Sequence, residues 1–268
     1  MPSVGMTLYV VRANRTPEIA ADTVAAARWA SAQACSVALV VPAADRAAYN
    51  GCGADYVYGS DVPRGSGDFA FGDALAQAWN DGLEFEQAIC LRDDATFLGK
   101  RVDEIVAGKL QQESADLFGV ANDQAYYADN FLRVGAFFSQ WRVPHESWDR
   151  APTALTLHTA LFAMTSTLVG QLFNRRLLLP ANYTDWPMPY GPYLTWTCQL
   201  LGMTVATAGG IQRPAPPFYV NDSNGGAYNP PPYLLAPSVV GYWSMRHVSG
   251  YSETETRAWC RMLRQANP

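Results

Sequence analysis

The stretch QAICLRDDATFLGK, residues 87–100, is the part of the sequence that decides the fold. Its apolar run AICL is typical of a buried strand, and it continues through Arg92 into the adjacent carboxylates of Asp93 and Asp94. Acidic side chains are depleted in strands and are seldom buried without a partner. The pair therefore indicates either a solvated turn or a strand end at which something cationic lies.

Strand-like and helix-like segments alternate through the first half of the chain. The predicted strands are TLYVVRA (7–13), SVALVVPA (36–43), DYVYGSD (55–61), QAICLRDD (87–94) and DLFGVAND (116–123). The predicted helices cover about residues 17–34, 71–85 and 99–112. Thr16 is a suitable N-cap for the first of them, with Pro17 at its first position. This alternation predicts an α/β fold, with a Rossmann-like, mainly parallel sheet flanked by helices.

Ligands of such sheets bind outside the carboxyl ends of the strands. That rule places a group of polar side chains on one rim of the predicted sheet. They are Arg12 and Asn14 after the first strand, Asp61 after the third, and Asp93 and Asp94 after the fourth.

The second half of the chain has a different character. Helices are predicted at 165–177, around 194–202 and at about 252–265, with a strand at 204–209. The proline-rich segment 211–237 is expected to be mostly irregular. We expect one compact domain with two halves, a ligand-binding half at 1–125 and a second half at 126–268 that ends in the C-terminal helix.

Composition excludes several classes of function. The net charge of −5 opposes a surface that wraps nucleic acid, and the arginines near the C-terminus are interpreted as a solvated helix face (Arg246, Arg257, Arg261 and Arg264). The five cysteines contain no C-x-x-C pair, which excludes the usual zinc and disulfide patterns. No apolar run approaches the length of a membrane span, so a cytoplasmic protein without stable membrane insertion is expected.

Glycine placement argues against other nucleotide-binding enzymes. A doubly wound dehydrogenase or methyltransferase should carry glycines after the first strand, where this chain has RANRTPE, residues 12–18. A sugar nucleotidyltransferase should carry a glycine-rich basic loop at the same place. The loop RGSGDF, residues 64–69, lacks the phosphate-binding pattern of nucleoside triphosphatases and is predicted to be a flexible connection.

The paired carboxylates fit a divalent cation. Mg²⁺ and Mn²⁺ are typically bound by one or two carboxylates together with substrate phosphates. Adjacent residues of a strand point to opposite faces, so both reach one ion only where the chain turns. We assign Asp94 to the metal, and Asp93 to the nucleotide or to support of the metal ligand.

Three segments resemble the nucleotide-sugar glycosyltransferases of the GT-A fold, family 2-like. VVRANRTPEIAADTVAAARWA (10–30) is similar to the opening strand and helix of that superfamily. FGDALAQAWNDGLEFEQAICLRDDATFL (71–98) is similar to the helix and strand that end in its acidic motif. MRHVSG (245–250) resembles the segment in which some members supply a metal-binding histidine. Arg92 departs from the pattern, because many relatives have an acid there.

The resemblance implies a metal-dependent transferase with a nucleoside-diphosphate sugar as donor and Mn²⁺ or Mg²⁺ as cofactor. The implied donor-binding residues are Arg12, Asn14, Arg15, Asp61, Arg92 and Asp93. The implied metal ligands are Asp94 and His247. Asp185 is the expected catalytic base, with Glu146 and His145 as alternatives by region, and the expected acceptor-binding residues are Trp186 and Tyr190.

The identity of the acceptor stays open. A glycan, a protein or a hydroxylated base in DNA, as used by viral-type DNA glycosyltransferases, would each offer the required hydroxyl group. Arg92 also keeps a second class of function open, a module that binds nucleotide or carbohydrate without turnover.

Overall fold

The structure is a computed structural model. It describes residues 5–93, 95–97, 99–121, 157–180, 190–210, 213–214, 218–221, 240–244 and 253–266. All statements about the fold and the site refer to these residues.

The described residues form eleven strands and six α-helices. The strands are β1 (Thr7–Arg12), β2 (Cys35–Pro42), β3 (Tyr56–Ser60), β4 (Gln87–Arg92), β5 (Ala95–Phe97), β6 (Leu117–Ala121), β7 (Leu157–Thr165), β8 (Val205–Gly210), β9 (Arg213–Pro214), β10 (Phe218–Asn221) and β11 (Val240–Ser244). The α-helices are α1 (Pro17–Ala30), α2 (Ala70–Asn80), α3 (Val102–Gln112), α4 (Ser166–Asn174), α5 (Tyr190–Leu200) and α6 (Glu253–Ala266). Two 3₁₀ helices cover Ala43–Tyr49 and Arg64–Phe69.

Eight of these strands form the main sheet, in the order β3-β2-β1-β4-β7-β6-β8-β9. Neighbours pair in parallel from β3 to β4 and between β6 and β8, while β7 and β9 run antiparallel to their neighbours. The predicted α/β fold with a mainly parallel sheet is therefore confirmed. The chain moves outward from β1 to β3 and then returns to place β4 on the other side of β1, which makes the β1–β4 junction a topological switch point.

The sheet is buried on both faces, which explains the nearly continuous apolar character of its strands. Alternate residues of β1 enter different cores, with Tyr9 and Val11 on one face and Leu8 and Val10 on the other. Helices α1 and α3 cover the first face, and α2, α4 and α5 cover the second. The first turn of α1 is as predicted, with Thr16 as N-cap and Pro17 at the start of the helix.

Strands β5 and β7 were not predicted, and two local expectations were wrong or incomplete. The residues that follow the acidic pair form the short strand β5, which pairs with β11 in a second sheet of order β10-β11-β5. The apolar run of β7 is a strand of the main sheet. Segment 64–69, predicted to be a flexible connection, is a 3₁₀ helix, and strands β9 and β10 lie within segment 211–237, which was expected to be irregular. Strands β5 and β7 take their hydrogen bonds from segments that are distant in sequence, so local sequence did not reveal them.

The proposed division near residue 125 remains a prediction. The main sheet contains β7 and β8, which lie beyond that boundary, next to strands that precede it. Within the part of the chain that the structure describes, none of the helices combines the length and the apolar character needed to cross a membrane.

Two helical glycines provide a matched test of this packing. A Cβ at Gly72 of α2 would lie 1.8 Å from Leu178 O, whereas a Cβ at Gly108 of α3 would meet nothing within 4 Å. We expect Gly72→Ala to lower the free energy of unfolding by about 3 kcal/mol or more, since backbone must move. Gly108→Ala should raise it by about 0.5–1 kcal/mol, because alanine loses less conformational entropy in a helix. Urea unfolding of both variants measures the difference, and equal effects would contradict the close approach of α2 to Leu178.

Candidate functional site

The carboxyl ends of β1 and β4 lie side by side. Arg12 and Arg92 are partners in the parallel register of these two strands, each as the last residue of its strand. Paired residues of parallel neighbours project from the same face of a sheet, so both arginines project from the face covered by α2. The switch point is therefore flanked by two cationic side chains.

Asp93 fastens β4 to the turn that leads into α1. Its backbone N–H donates to Arg12 O at 2.9 Å, which extends the strand pairing by one residue. Its Oδ2 accepts hydrogen bonds from the backbone N–H groups of Asn14, at 2.9 Å, and Arg15, at 3.1 Å. The residue is only 2% exposed. The Asp93 carboxylate thus binds backbone amides of the β1–α1 turn, and this contact is available only after the two distant segments have come together.

Asn14 connects Asp93 with the first arginine. The side-chain amide satisfies both neighbours when its oxygen lies 2.8 Å from Arg12 Nη2 and its nitrogen lies 3.3 Å from Asp93 Oδ1. Oriented in this way, it places one acceptor and one donor between a cation and an anion. Asn14 therefore helps to fix the side chains at the end of β1.

Arg12 also has an anionic partner, on the neighbouring 3₁₀ helix. Its guanidinium forms an ion pair with Asp68, and the two side chains are 14% and 20% exposed. Thr159 of β7 donates from Oγ1 to Asp68 Oδ2 at 2.5 Å. A Cβ at Gly67 would lie 3.3 Å from the guanidinium, so this position favours glycine. These contacts join the end of β1 to the 3₁₀ helix and to β7.

The C-terminal helix contributes two buried arginines beneath the same strand end. Arg257 and Arg264 are 5% and 7% exposed, and both donate to Asp22 of α1, at 2.9 and 2.7 Å. Arg257 also donates to the backbone oxygen of Asp93, and Arg264 donates to Thr96 Oγ1 at 2.7 Å. The expectation of a solvated basic helix face was therefore wrong for these two residues, because an acid on α1 neutralises part of their charge. Arg261 is exposed as expected.

The remaining residues predicted for the donor are at the rim but less buried. Arg15 is half-buried, and its carbonyl oxygen accepts from the hydroxyl of Tyr49 at 2.5 Å. Asp61 is exposed directly after β3, two strands from β1, which corresponds to about 10 Å at the usual strand spacing. Arg92 is half-buried. Sequence reasoning thus brought Arg12, Asn14, Arg92 and Asp93 together, with Asp61 further away.

Tyr190 does not lie where an acceptor could reach it. Its side chain is fully buried in the second core, where its ring lies 5.2 Å from that of Phe69 and 6.1 Å from that of Phe162. Burial raises the pKa of Tyr190 well above its ordinary value, as expected for a hydroxyl held in the core. The structure thus gives Tyr190 a packing role in place of the predicted acceptor contact. Trp196, on the same helix, is buried as well.

Four of the predicted site residues lie outside the described residues, namely Asp94, Asp185, Trp186 and His247. Glu146 and His145 lie outside them as well. Among the residues that the structure does describe, no group of three or more histidine, cysteine, aspartate or glutamate side chains is placed to hold a metal ion. The metal ligands therefore remain a prediction.

Asp22, Asp68, Arg257 and Arg264 are the residues at this site that sequence reasoning missed. A signal for the two arginines was present in the spacing of α6. Arg257, Cys260 and Arg264 occupy positions i, i+3 and i+7, which share one face of a helix, and all three are buried. Arginines on the same stripe as a buried cysteine indicate a docked face that needs an anionic partner.

Comparison with known proteins adds a likeness of fold. The sequence matches no protein-family model and no curated protein. Among solved structures, the chain is similar to the mannosyltransferase PcManGT from Pyrobaculum calidifontis in complex with GDP-Man and Mn²⁺, with a TM-score of 0.46 and 14% identity. The match covers 77% of this chain and 55% of that chain, so this chain spans about half the length of that protein.

The contacts of Asp93 predict a clear effect on stability. Asp93→Ala should lower the free energy of unfolding by about 1–3 kcal/mol, because the amides of Asn14 and Arg15 lose their acceptor in a partly buried place. The matched control is Asp61→Ala, at an exposed strand end, which should change it by less than about 0.5 kcal/mol. Chemical denaturation of the two variants measures both values. If Asp61→Ala lowered the free energy of unfolding as much as Asp93→Ala, the amide-binding role of Asp93 would be contradicted.

Proposed function

We propose that this chain is a metal-dependent glycosyltransferase of the GT-A type, which transfers a sugar from a nucleoside-diphosphate sugar to an acceptor hydroxyl. The observation that carries the proposal is the switch point between β1 and β4. There the sheet presents Arg12, Asn14 and Arg92 at the place where open α/β sheets bind nucleotides. The resemblance of the strand-end sequences to that superfamily supports the same conclusion.

The donor is assigned to this rim on grounds of charge. A nucleoside diphosphate carries negative charge that Arg12, Arg15 and Arg92 are suited to neutralise, and guanidinium groups bind phosphate oxygens with two parallel hydrogen bonds. Asp68 and Asn14 already orient the guanidinium of Arg12. An arginine whose orientation is fixed before the donor arrives loses less entropy on binding it. Asp61, further along the rim, is assigned to the nucleoside.

The metal is assigned to Asp94 and His247. The Asp93 carboxylate is committed to backbone amides, which leaves Asp94 as the carboxylate of the pair for a cation. Ala95 of β5 is paired with Ser244 of β11, so the chain connects Asp94 one residue before that pair and His247 three residues after it. A carboxylate oxygen suits both Mn²⁺ and Mg²⁺. A bound cation would neutralise charge that develops on the leaving diphosphate.

The transfer step requires a base on the acceptor side if the configuration of the sugar inverts. The acceptor hydroxyl gives its proton to a carboxylate, its oxygen forms the new bond to the anomeric carbon, and the bond to phosphate breaks with its electron pair leaving on the nucleoside diphosphate. We assign the base to Asp185 and acceptor stacking to Trp186. The acceptor is a glycan, a protein or a hydroxylated DNA base.

Nucleotide-dependent stabilisation tests the donor and metal assignments. One of UDP, GDP, CDP and TDP should raise the melting temperature of the wild type in the presence of Mn²⁺, and by less without it. Asp94→Ala and His247→Ala should lose the Mn²⁺-dependent part of the shift, because each removes a ligand. Glu84→Ala, at an exposed position just before β4 and at the opposite edge of the sheet, leaves both ligands in place and should retain that part.

Two results would contradict these assignments. If no nucleotide changes the melting temperature with either Mn²⁺ or Mg²⁺, the chain does not bind a nucleoside-diphosphate donor. If Asp94→Ala keeps the full Mn²⁺-dependent shift, the cation is held elsewhere. If the chain binds a nucleotide but transfers no sugar from any donor of a panel, it is a non-catalytic binding module, the second class of function that Arg92 keeps open.

The catalytic base is tested separately from binding. Asp185→Asn should retain the nucleotide-dependent rise in melting temperature, because the residue contacts the acceptor. The same variant should lower the rate of sugar transfer about 10²- to 10⁴-fold, the usual contribution of a general base. Glu146→Gln is the matched control, and a larger loss there than at Asp185 would move the base to Glu146.

A further inference from the structure

Helix α6 is held against the rest of the chain by a buried group of charges. Arg257 and Arg264 lie seven residues apart on one face of the helix, and each donates to one oxygen of Asp22 on α1, at 2.9 and 2.7 Å. The three side chains are between 6% and 9% exposed. Of the side chains of α6 that the structure describes, Cys260 is the one other that is buried, and none belongs to either core of the main sheet. Among these side chains, the docked face is therefore charged where a packed helix is ordinarily apolar.

A buried group of this kind docks a helix with little net free energy. The cost of taking charges out of water nearly cancels their mutual attraction, so an intact group often contributes no more than the apolar residues that could replace it. When α6 leaves α1 completely, the carboxylate and both guanidinium groups regain their hydration together. Complete release therefore costs less free energy than exposure of an apolar helix face of the same size.

Partial displacement of α6 costs more than complete release. If Arg257 or Arg264 left Asp22 while the helix stayed docked, a charge would remain buried without its partner, which is the most destabilising state of such a group. Arg257 also donates to the backbone oxygen of Asp93, and Arg264 donates to Thr96 Oγ1 at 2.7 Å. Both arginines therefore have to leave their acceptors in one movement. The docked and released positions are then favoured over every position between them, as in a two-state element.

We propose that α6 is a two-state strap, which releases from α1 and β5 as one unit while the main sheet stays folded. The parallel ladders of β1 with β2 and β4 do not involve α6, so they persist when it leaves. Release withdraws the hydrogen bond of Arg257 from the backbone oxygen of Asp93, which keeps its hydrogen bond from Thr23 Oγ1 at 3.2 Å. The state of the strap is thereby transmitted to the end of β4, at the switch point of the sheet.

Two buried thiols report release and unfolding separately. Cys260 lies on the buried face of α6 and Cys90 lies inside the sheet on β4, and neither has exposed surface. Burial raises the pKa of Cys260 to about 12 and the pKa of Cys90 well above its ordinary value, so neither thiol reacts with an alkylating reagent until water reaches it. Release of α6 exposes Cys260, whereas exposure of Cys90 requires the sheet to unfold.

The first measurement is alkylation of the full wild-type chain by N-ethylmaleimide at low urea concentrations, with the two cysteine peptides quantified by mass spectrometry. Cys260 should be labelled at least about 100-fold faster than Cys90 in the absence of urea, because local opening requires less free energy than global unfolding. The rate at Cys260 should also rise less steeply with urea, since release exposes less surface than unfolding.

Variants at the charged group test what holds the strap. Asp22→Asn removes the shared anion at nearly constant size and leaves two buried arginines without compensation, so it should increase the ratio of Cys260 to Cys90 labelling at least 10-fold. Arg264→Lys is a milder change, because an ammonium is a single point of charge that cannot bridge Asp22 and Thr96 as a guanidinium does. It should increase the same ratio about 3- to 10-fold.

Two controls separate the strap from general stability. Asp103→Asn alters a different buried acid, which accepts from Ala32 N at 2.8 Å in the turn between α1 and β2. It should speed labelling of Cys90 and leave labelling of Cys260 within about 2-fold of the wild type. Arg261→Gln, at an exposed position of α6, should leave both rates within about 2-fold.

Two results would overturn the inference. One is equal labelling rates and equal urea dependence for Cys260 and Cys90 in the wild type, which would mean that α6 leaves only when the sheet unfolds. The other is an Asp22→Asn variant in which Cys90 labelling accelerates as much as Cys260 labelling, which would make α6 part of one cooperative unit with the sheet. These measurements involve neither nucleotide nor sugar transfer, so the inference and the proposed function can fail independently.

Discussion

The contact on which the rest of this structure depends is the capture of the β1–α1 turn by Asp93. A carboxylate at the end of β4 accepts two backbone N–H groups from a segment 78 and 79 residues earlier in the chain. The same residue extends the parallel pairing through its own N–H and presents its oxygen to α1 and α6. One aspartate thus joins two strands and two helices at the switch point. A charge in this place is tolerable because hydrogen bonds surround it.

Burial of so many charged groups has a consequence for how the site is built. Asp22, Arg257 and Arg264 together carry a net charge of +1, and the backbone oxygen of Asp93 accepts a further hydrogen bond from Arg257. Breaking one member of such a group leaves an uncompensated buried charge, which costs more than the intact group contributes. The network therefore favours a single arrangement of the strand end over alternatives. That selectivity is useful where ligands have to be held in fixed positions.

The sheet could be predicted from the sequence because the strand segments are apolar throughout. Turn residues also separate these strands clearly from the helices that follow them. The sequence also placed Arg12, Asn14, Arg92 and Asp93 on one rim, since the carboxyl ends of parallel strands share an edge. The sequence did not reveal the hydrogen-bond partners of the buried charged residues. The amides that bind Asp93 and the acid that binds Arg257 and Arg264 are distant in sequence, and no local pattern specifies them. Tyr190 is an error of the opposite kind. It was expected to contact the acceptor, but its side chain packs in the core.

The adjacent carboxylates at the end of β4 are best understood as a division of tasks. A metal ligand at a strand end is useful only if the backbone beneath it does not move, and a strand that has just left its ladder has few hydrogen bonds to prevent this. Asp93 supplies those bonds to the turn before α1 and, through its carbonyl oxygen, to Arg257. The proposed function assigns the next residue, Asp94, to the cation. If the proposed function is right, one member of the acidic pair fixes the turn and the other binds the cation, which accounts for two adjacent charges at one strand end.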